Sequence, residues 1–361
     1  MKVKFPKYYS RFACIKGECR DSCCIGWDIE VDEKTKEKYD TLDGSLGERV
    51  RAALITEDNA TYIKTDCRGR CPFLNSEGLC DIISGCGEEM TSDICRRHPR
   101  YLTRVDGITE GGIGLSCLSA AMTVLSAKAK ELSFQIFELP YDVEDSYGML
   151  ATRLERSLVK YRNDLLKTIK KRDTGAAFAL MLTLGEGDIL MRYVDFDQDP
   201  DMPCERVEGS DAHFTEALAD VTKEVLEKLG ECEMLSEDFG KRVLLAADYV
   251  SDKPKAFGEY LEGKFKPFFK RLLFCFLHRY YLEGLVDCSI GARTKLAGIY
   301  ALALGALCFS AKADTLEKIA EVSTEFSKNI EYSEENTEKN LRDIYSYYIY
   351  TLENLDRMFN K

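Results

Sequence analysis

The spacing of apolar residues changes near residue 120 of this 361-residue chain. Beyond that point apolar side chains recur every three or four positions, the period of a helix with one buried face. Strand-like alternation is rare there, so the pattern predicts a helical domain over 121–361. The polar stretch 195–210, with Pro200 and Pro203, is a candidate boundary between two lobes. The predicted helices span 119–134, 146–172, 176–184, 212–229, 237–250, 257–285, 292–309, 314–327 and 335–359.

The first 120 residues follow a different pattern, with short apolar stretches separated by glycine-containing turns. They predict two short helices, at 32–42 and 45–55. Alternating residues on either side of Asp106-Gly107 predict a β-hairpin. The fold class expected is mainly α: a small irregular cysteine-rich α+β metal-binding module at 1–120, followed by a large helical domain at 121–361.

Composition and charge exclude several classes of function. The N-terminus has no apolar signal region, and the longest uncharged apolar run, 296–311, falls short of the ~20 residues that span a membrane. A cytoplasmic protein without membrane contact is therefore expected. The net charge of −12 and the absence of a basic stripe argue against a nucleic-acid partner and favour a basic one, such as an exposed lysine.

Ten of the fifteen cysteines lie in the first 120 residues. Such a cluster forms either a disulfide framework or a metal site, and a large chain without a secretory signal favours metal. Cys67 and Cys86 are extras, and the five cysteines beyond residue 120 are expected to be small core residues. The candidate metal ligands are Cys14, Cys19, Cys23, Cys24, Cys71, Cys80, Cys95 and Cys117.

The spacing of these cysteines bears on the kind of metal site. No CxxC pair typical of zinc knuckles occurs. The adjacent Cys23 and Cys24 point in different directions in a regular backbone, so they reach different irons of a cluster, or one of them is a core residue. The segment from Cys71 to Cys80 is expected to turn and bring its two thiols together. Two arginines that follow Cys95 could offset the charge of four thiolates.

Two other chemistries are excluded by their motifs. The C-x3-C-x2-C signature of radical S-adenosylmethionine enzymes fails, because its third position falls on Gly26 or Leu74. No phosphate-binding G-x4-G-K-[ST] loop is present. The glycine run 111–114 is expected to be a turn near the metal site rather than a nucleotide-binding loop.

The first 125 residues contain a series of short motifs around the cysteines. They are Pro6-Lys-Tyr-Tyr9, Phe12-Ala-Cys14, Glu18-Cys19, Cys23-Cys24, Gly26-Trp27, Ile29, Cys71-Pro-Phe-Leu74, Gly78-Leu-Cys80, Ile82, Gly87-Glu88, Cys95, Pro99-Arg100, Gly114-Leu-Ser-Cys117 and Ala120-Ala121. Together these motifs resemble the flagellin lysine-N-methylase family. The chain departs from the family pattern at Leu118, where the family tends to have proline, at His98, where an aromatic residue is usual, and at Cys86, where an apolar residue is expected.

The resemblance implies methyl transfer from S-adenosylmethionine to lysines on the surface of flagellin, with a [4Fe–4S] cluster associated with the cysteine motif. Zinc is the alternative, or a second metal beside the cluster. The same cysteine pattern is similar to small proteins described as zinc- or iron-chelating domains. The competing hypothesis is therefore a non-catalytic metal-binding or redox-sensing protein, but the long helical part favours an enzyme.

Overall fold

The computed structural model describes residues 1–27, 29–57, 59–105, 108–139, 153–184 and 213–360, and the chain is mainly helical, as predicted. It divides into two compact units. The Cys unit comprises Phe12–Tyr101 and Cys117–Ala120, and the helical unit comprises Met1–Arg11, Leu102–Ser116 and Ala121–Lys361. Two segments of the first 120 residues thus belong to the helical unit, because their strands pair there.

The Cys unit contains short helices and a small sheet around its own apolar core. Asp32 caps the first helix by accepting a hydrogen bond from the Thr35 amide at 3.0 Å. The three strands are antiparallel in the order β2-β4-β3. The helices are α1 Glu33–Asp40, α2 Gly44–Ala53, α3 Asp81–Cys86 and α4 Asp93–Arg97, and the strands are β2 Ile29–Glu30, β3 Leu54–Glu57 and β4 Ala60–Ile63. The core residues are Ile29, Val31, Tyr39, Val50, Ile63, Cys71, Phe73 and Ile82.

A four-stranded sheet joins the beginning of the chain to the helical unit. Its order is β5-β6-β1-β7, formed by Arg100–Val105, Ile108–Ile113, Lys2–Pro6 and Phe134–Glu138. Strand β1 runs parallel to β6 and antiparallel to β7. The strands β5 and β6 are neighbours, as the predicted hairpin requires, and its turn at 106–107 lies outside the described residues.

The helix predicted over 119–134 is wrong in its second half. Helix α5, Leu118–Leu125, ends early, and residues 134–138 form β7 instead. Five consecutive residues of β1 pair with this aromatic-rich segment. Because strand preference reflects packing and pairing more than local propensity, the tertiary partner decides the structure here.

The remaining elements are mostly the predicted helices, with two corrections. The helix predicted over 257–285 is interrupted at Gly263, and Pro267 lies in the first turn of the helix that follows. The helix predicted to reach residue 359 ends at Ser346, and a short strand β9 pairs with β8. The predicted lobe boundary at 195–210 lies outside the described residues.

The remaining elements of the helical unit are α6 Arg153–Lys171, α7 Thr174–Leu184, β8 His213–Phe214, α8 Ala217–Leu229, α9 Glu237–Asp252, α10 Pro254–Glu262, α11 Lys266–Val286, α12 Ile290–Ser310, α13 Leu316–Phe326, α14 Glu334–Ser346, α15 Leu352–Leu355 and β9 Phe359–Asn360.

Helix α12 lies inside the helical unit and is buried on all of its own faces. Two glycines allow close contacts: a Cβ at Gly298 would lie 2.9 Å from the Phe178 ring, and one at Gly305 would lie 2.7 Å from the Leu261 side chain. Among the described residues, this one helix is long and apolar enough to cross a membrane. Because 89% of its most apolar stretch is buried inside the protein, it has the character of a core helix.

The glycine run 111–114 has a different role from the one expected. Its first three residues belong to β6 rather than to a turn. A Cβ at Gly111 would lie 2.7 Å from the Phe5 ring, and a Cβ at Gly114 would overlap the hydroxyl oxygen of Tyr332. These glycines allow neighbouring rings to approach the backbone of the helical unit.

We predict that Gly114→Ala lowers the free energy of unfolding by about 1–3 kcal/mol, because the added methyl group displaces Tyr332. Chemical denaturation monitored by circular dichroism measures this. The control is Gly258→Ala in α10, where a Cβ meets nothing within 4 Å. That change should be neutral or stabilising, because alanine favours a helix over glycine. Equal stability of Gly114→Ala and the unchanged protein would contradict the close packing.

Candidate functional site

A turn in the Cys unit brings Cys71 and Cys80 together, as the sequence predicts. Leu74 and Cys80 form an isolated antiparallel bridge. The amide of Asp81 also donates to the carbonyl of Phe73 at 2.8 Å. The two cysteines therefore lie at the ends of a closed loop.

Backbone hydrogen bonds add Cys24 to this pair. The amide of Cys71 donates to the carbonyl of Cys24 at 2.8 Å, and the neighbouring residues Ile25 and Arg70 form a second bridge. The charge of Arg70 contributes to lowering the pKa of the Cys24 thiol. Three candidate ligands from two distant segments thus share one neighbourhood.

Helix α4 carries the fourth cysteine of this group, Cys95. The amide of Asp93 at its start donates to Asp32 at 2.8 Å, and Asp32 is also the cap of α1. Desolvation of the thiol, together with the charges of Cys24 and Cys80, raises the pKa of Cys95 to about 11. The group of Cys24, Cys71, Cys80 and Cys95 is called the first thiol group below.

Burial likewise raises the pKa of Cys71 to about 12, with contributions from the other three members of the first thiol group. The two arginines after Cys95 have a carboxylate partner of their own, and their predicted role in offsetting thiolate charge stays a prediction. Arg96 and Arg97 both pair with the carboxylate of Asp93, Arg97 at 2.7 Å. Their charge is therefore partly neutralised by Asp93 rather than directed only at thiolates.

A second thiol group contains Cys14, Cys19, Cys23 and Cys117. Burial raises the pKa of Cys117, and the charges of Cys19 and Cys14 add to this effect. The hydroxyl of Ser119 donates to the carbonyl of Ala13 at 2.7 Å, which ties the segment of Cys117 to that of Cys14.

The adjacent Cys23 and Cys24 connect the two groups. A hydrogen bond from the Cys23 thiol lowers the pKa of Cys24 to about 7 and raises that of Cys23. The charges of Cys117 and Cys95 also raise the pKa of Cys23. The lowered pKa favours the thiolate form of Cys24, and the thiolate is the form that binds metal and acts as a nucleophile.

The chemistry of the first thiol group fits a thiophilic metal. The hydroxyl of Tyr39 is buried and has no hydrogen-bond partner among the described residues. Burial raises its pKa, and so do the charges of Cys95, Cys80 and Cys71. A buried hydroxyl beside thiols is suited to donate to a thiolate or to a cluster sulfur.

The geometry of a metal site is not assembled. Across the described ranges, no three or more cysteine, histidine, aspartate or glutamate side chains stand where one ion could be held. The sulfurs are close enough to alter each other's pKa but are not arranged as ligands. Metal binding by the eight cysteines therefore stays a prediction.

The other cysteines follow the sequence expectation in part. Cys232, Cys275 and Cys308 are buried in the helical unit, as expected of core residues. Cys288 is exposed, contrary to that expectation, because it lies in the turn after α11. Cys204 lies outside the described residues.

The sequence analysis missed a buried ion cluster in the helical unit, centred on Glu110 in β6. Its carboxylate accepts hydrogen bonds from Lys4 Nζ and from Arg162 Nη2, both at 2.7 Å. His278 Nε2 lies 3.5 Å from the same carboxylate. The four residues come from four distant segments, so no local motif marks them.

The charges of this cluster follow from its burial. Burial alone would raise the pKa of Glu110, but the hydrogen bond with His278 and the positive charges of Arg162 and Lys4 hold it well below its usual range. Burial lowers the pKa of His278, so the imidazole is neutral at pH 7. The cluster therefore contains two cations and one anion.

A second buried polar network lies around Glu331. Arg279 Nη1 donates to its carboxylate at 2.6 Å, and the guanidinium lies 4.4 Å from the ring centre of Tyr332. The hydroxyl of Tyr280 is buried and has no hydrogen-bond partner within the described part of the chain. Burial raises the pKa of Tyr280 well above its ordinary value, so the phenol keeps its proton at neutral pH.

Comparison with known proteins confirms the predicted resemblance over part of the chain. The lysine-N-methylases of Salmonella typhimurium and Salmonella choleraesuis are each 28% identical over 131 residues, which is 34% of this chain and 32% of theirs. The flagellar biosynthetic protein FliU of Salmonella muenchen is 26% identical over 135 residues, or 77% of its length. The chain thus spans about a third of the length of the lysine-N-methylases that it matches. No family profile and no solved structure matches the chain.

We predict that Glu110→Gln lowers stability at pH 7 by about 3–5 kcal/mol, because Arg162 stays buried without its counter-ion. The folded pKa of Glu110 lies below its ordinary value of 4.5. The carboxylate therefore stabilises the fold above that pH, and its contribution is lost as pH falls through the folded pKa. The free energies of unfolding of the unchanged protein and of Glu110→Gln, measured by chemical denaturation, should therefore converge as the pH is lowered.

The matched control is Asp248→Asn, which removes an exposed pair with Lys223 at 3.2 Å. Its unfolding midpoint should hardly change, because solvent screens such pairs. A Glu110→Gln protein as stable as this control at pH 7 would contradict the buried cluster.

Proposed function

We propose that this protein is a protein lysine N-methyltransferase that uses S-adenosylmethionine and acts on surface lysines of flagellin. The observation that carries the proposal is its similarity to two proteins named lysine-N-methylase and to a flagellar biosynthetic protein. The cysteine motifs of the first 125 residues, which resemble the same family, are consistent with it. The chain covers only part of those relatives, so substrate and donor are both part of the proposal.

The reaction places two demands on the site. Lysine has a reference pKa of about 10.4, so nearly all of it is protonated at pH 7 and must first lose a proton. The neutral amine then attacks the methyl carbon of the sulfonium. A carbon–nitrogen bond forms, the carbon–sulfur bond breaks, and its electrons stay on the sulfur of S-adenosylhomocysteine. The methylated ammonium afterwards releases its extra proton to solvent or to a base.

The Cys unit is proposed to hold a [4Fe–4S] cluster through four of the eight candidate cysteines. The alternatives are zinc and a second site, and two thiol groups of four members each leave room for both. When bound, such a cluster supplies an electron-transfer centre and crosslinks distant segments. The Tyr39 hydroxyl is available to hydrogen-bond a ligand sulfur.

The partner proposed is flagellin, in the cytoplasm before its export. The net charge of −12 is complementary to a surface that presents protonated lysines. Neither a nucleic acid nor a membrane is part of the proposal.

We predict that Cys71→Ser lowers the metal bound after anaerobic purification, because a hydroxyl is a poor ligand for soft metals. Elemental analysis and visible absorption measure this, with about four irons expected in the unchanged protein. The control is Cys308→Ser, a buried cysteine of the helical unit, which should keep its metal. A colourless protein with stoichiometric zinc would show that the bound metal is zinc and not iron. Equal metal content in both variants would exclude Cys71 as a ligand.

We predict methyl transfer to flagellin from the same cell when the purified protein is incubated with labelled S-adenosylmethionine. Mass spectrometry should locate the label on lysine ε-amines, and reactions without flagellin or without the protein are the controls. Donor binding without methylation would point to another substrate. A metal-loaded protein that binds no donor would favour the metal-binding or redox-sensing function instead.

A further inference from the structure

Three members of the first thiol group belong to the apolar core of the Cys unit or pack against it. Cys71 is a core residue, and Cys24 and Cys80 contact the core from its edge. Tyr39 is part of the same core, and its buried hydroxyl has no hydrogen-bond partner among the described residues. A sulfur ligand of a bound metal is an acceptor that this hydroxyl can reach without water. A metal held by this group is therefore shielded from solvent and crosslinks the core.

The second thiol group has different surroundings. Among the described residues, the core of the Cys unit includes no member of this group. Cys14 and Cys23 are exposed. The amide of Lys16 donates to the Cys14 sulfur at 3.4 Å, and the Cys19 amide donates to the carbonyl of Lys16 at 3.0 Å. This short turn keeps Cys14 and Cys19 close together near the surface of the Cys unit.

The adjacent Cys23 and Cys24 lie where the two groups meet. They are the central residues of a turn that is closed by the Ile25 amide, which donates to the carbonyl of Ser22 at 3.2 Å. Cys24 packs against the core and is bonded through its carbonyl to Cys71, whereas Cys23 is exposed. Because adjacent side chains leave the backbone in different directions, such a pair is suited to two centres better than to one ion.

We propose that each thiol group binds a metal centre of its own, so that the Cys unit holds two centres. Four thiolates are a complete ligand set for zinc and for a [4Fe–4S] cluster, and the eight cysteines provide two such sets. The centre of the first group is structural, because it crosslinks the core. The centre of the second group lies near solvent and exchanges its metal more readily. This inference rests on the metal binding in the proposed function but not on methyl transfer.

Alkylation of the anaerobically purified protein with iodoacetamide tests the two ligand sets, because coordination to a metal protects a thiolate from the reagent. Mass spectrometry of the digested protein should find both thiol groups protected. Cys80→Ser should expose the other members of the first group to alkylation and leave the second group protected. Cys19→Ser should give the reverse pattern. Elemental analysis of the two variants identifies the metal that each has lost as iron or zinc.

The chain offers internal controls for this reaction. Cys67 and Cys288 are exposed and belong to neither group, so both should be alkylated in every sample. Cys308→Ser removes a buried cysteine of the helical unit and should leave both groups protected. If Cys80→Ser or Cys19→Ser fails to fold, the unchanged protein is treated with a metal chelator, and alkylation is followed over time. The second group should then lose its protection before the first.

A single centre predicts other results. Protection of only four of the eight cysteines in the unchanged protein would overturn the two-centre assignment and leave the methyltransferase proposal intact. Release of both groups by one substitution, or at one rate under the chelator, would do the same. A protein in which all exposed members of both groups react holds no metal, and this overturns the inference together with the proposed metal binding. Methyl transfer to flagellin is measured separately with the labelled donor, so it decides the proposed activity in every case.

Discussion

The helical unit depends on the burial of α12 on every face. A helix without an exposed side must be apolar all round, and its neighbours must fit it closely. The glycines at 298 and 305 let Phe178 and Leu261 approach its backbone. Even Lys295 is buried, and its ammonium donates to the carbonyl of Tyr350 at 2.9 Å. The helices α7, α9, α11 and α14 all pack against this one element.

The helical pattern was predictable because each helix around α12 must turn one apolar face inward, and that face repeats along the sequence. Predictions failed where a distant partner decided the structure. The segment 134–138 has no strong local preference, and the pairing with β1 makes it a strand. At Gly263 the local signal was present, because a glycine followed by Pro267 favours a break. The apolar period continues on both sides of Gly263, so the pattern predicted one continuous helix in spite of this signal.

The cysteine groups and the ion cluster also differ in how far they could be predicted from the sequence. The turn that joins Cys71 to Cys80 is local, so the sequence indicated it. The partners of Glu110 are 106 and 52 positions away, and no periodicity reports such contacts. A charged residue on an otherwise apolar helix face is the one signal that could have singled out Arg162. It identifies a buried charge but not its partner.

The place of β1 in the sheet has a consequence for how the chain folds during synthesis. Lys2 pairs with Glu138, so strand β1 cannot pair with β7 until the whole Cys unit between them has been made. Such separation in sequence slows folding, because a long loop must close before the pairing is gained. A polypeptide that began at residue 121 would lack both β1 and β6 and leave the backbone groups of β7 unpaired. The Cys unit is thus an insertion within a larger folding unit, and cutting the gene at the change in sequence pattern would divide that unit.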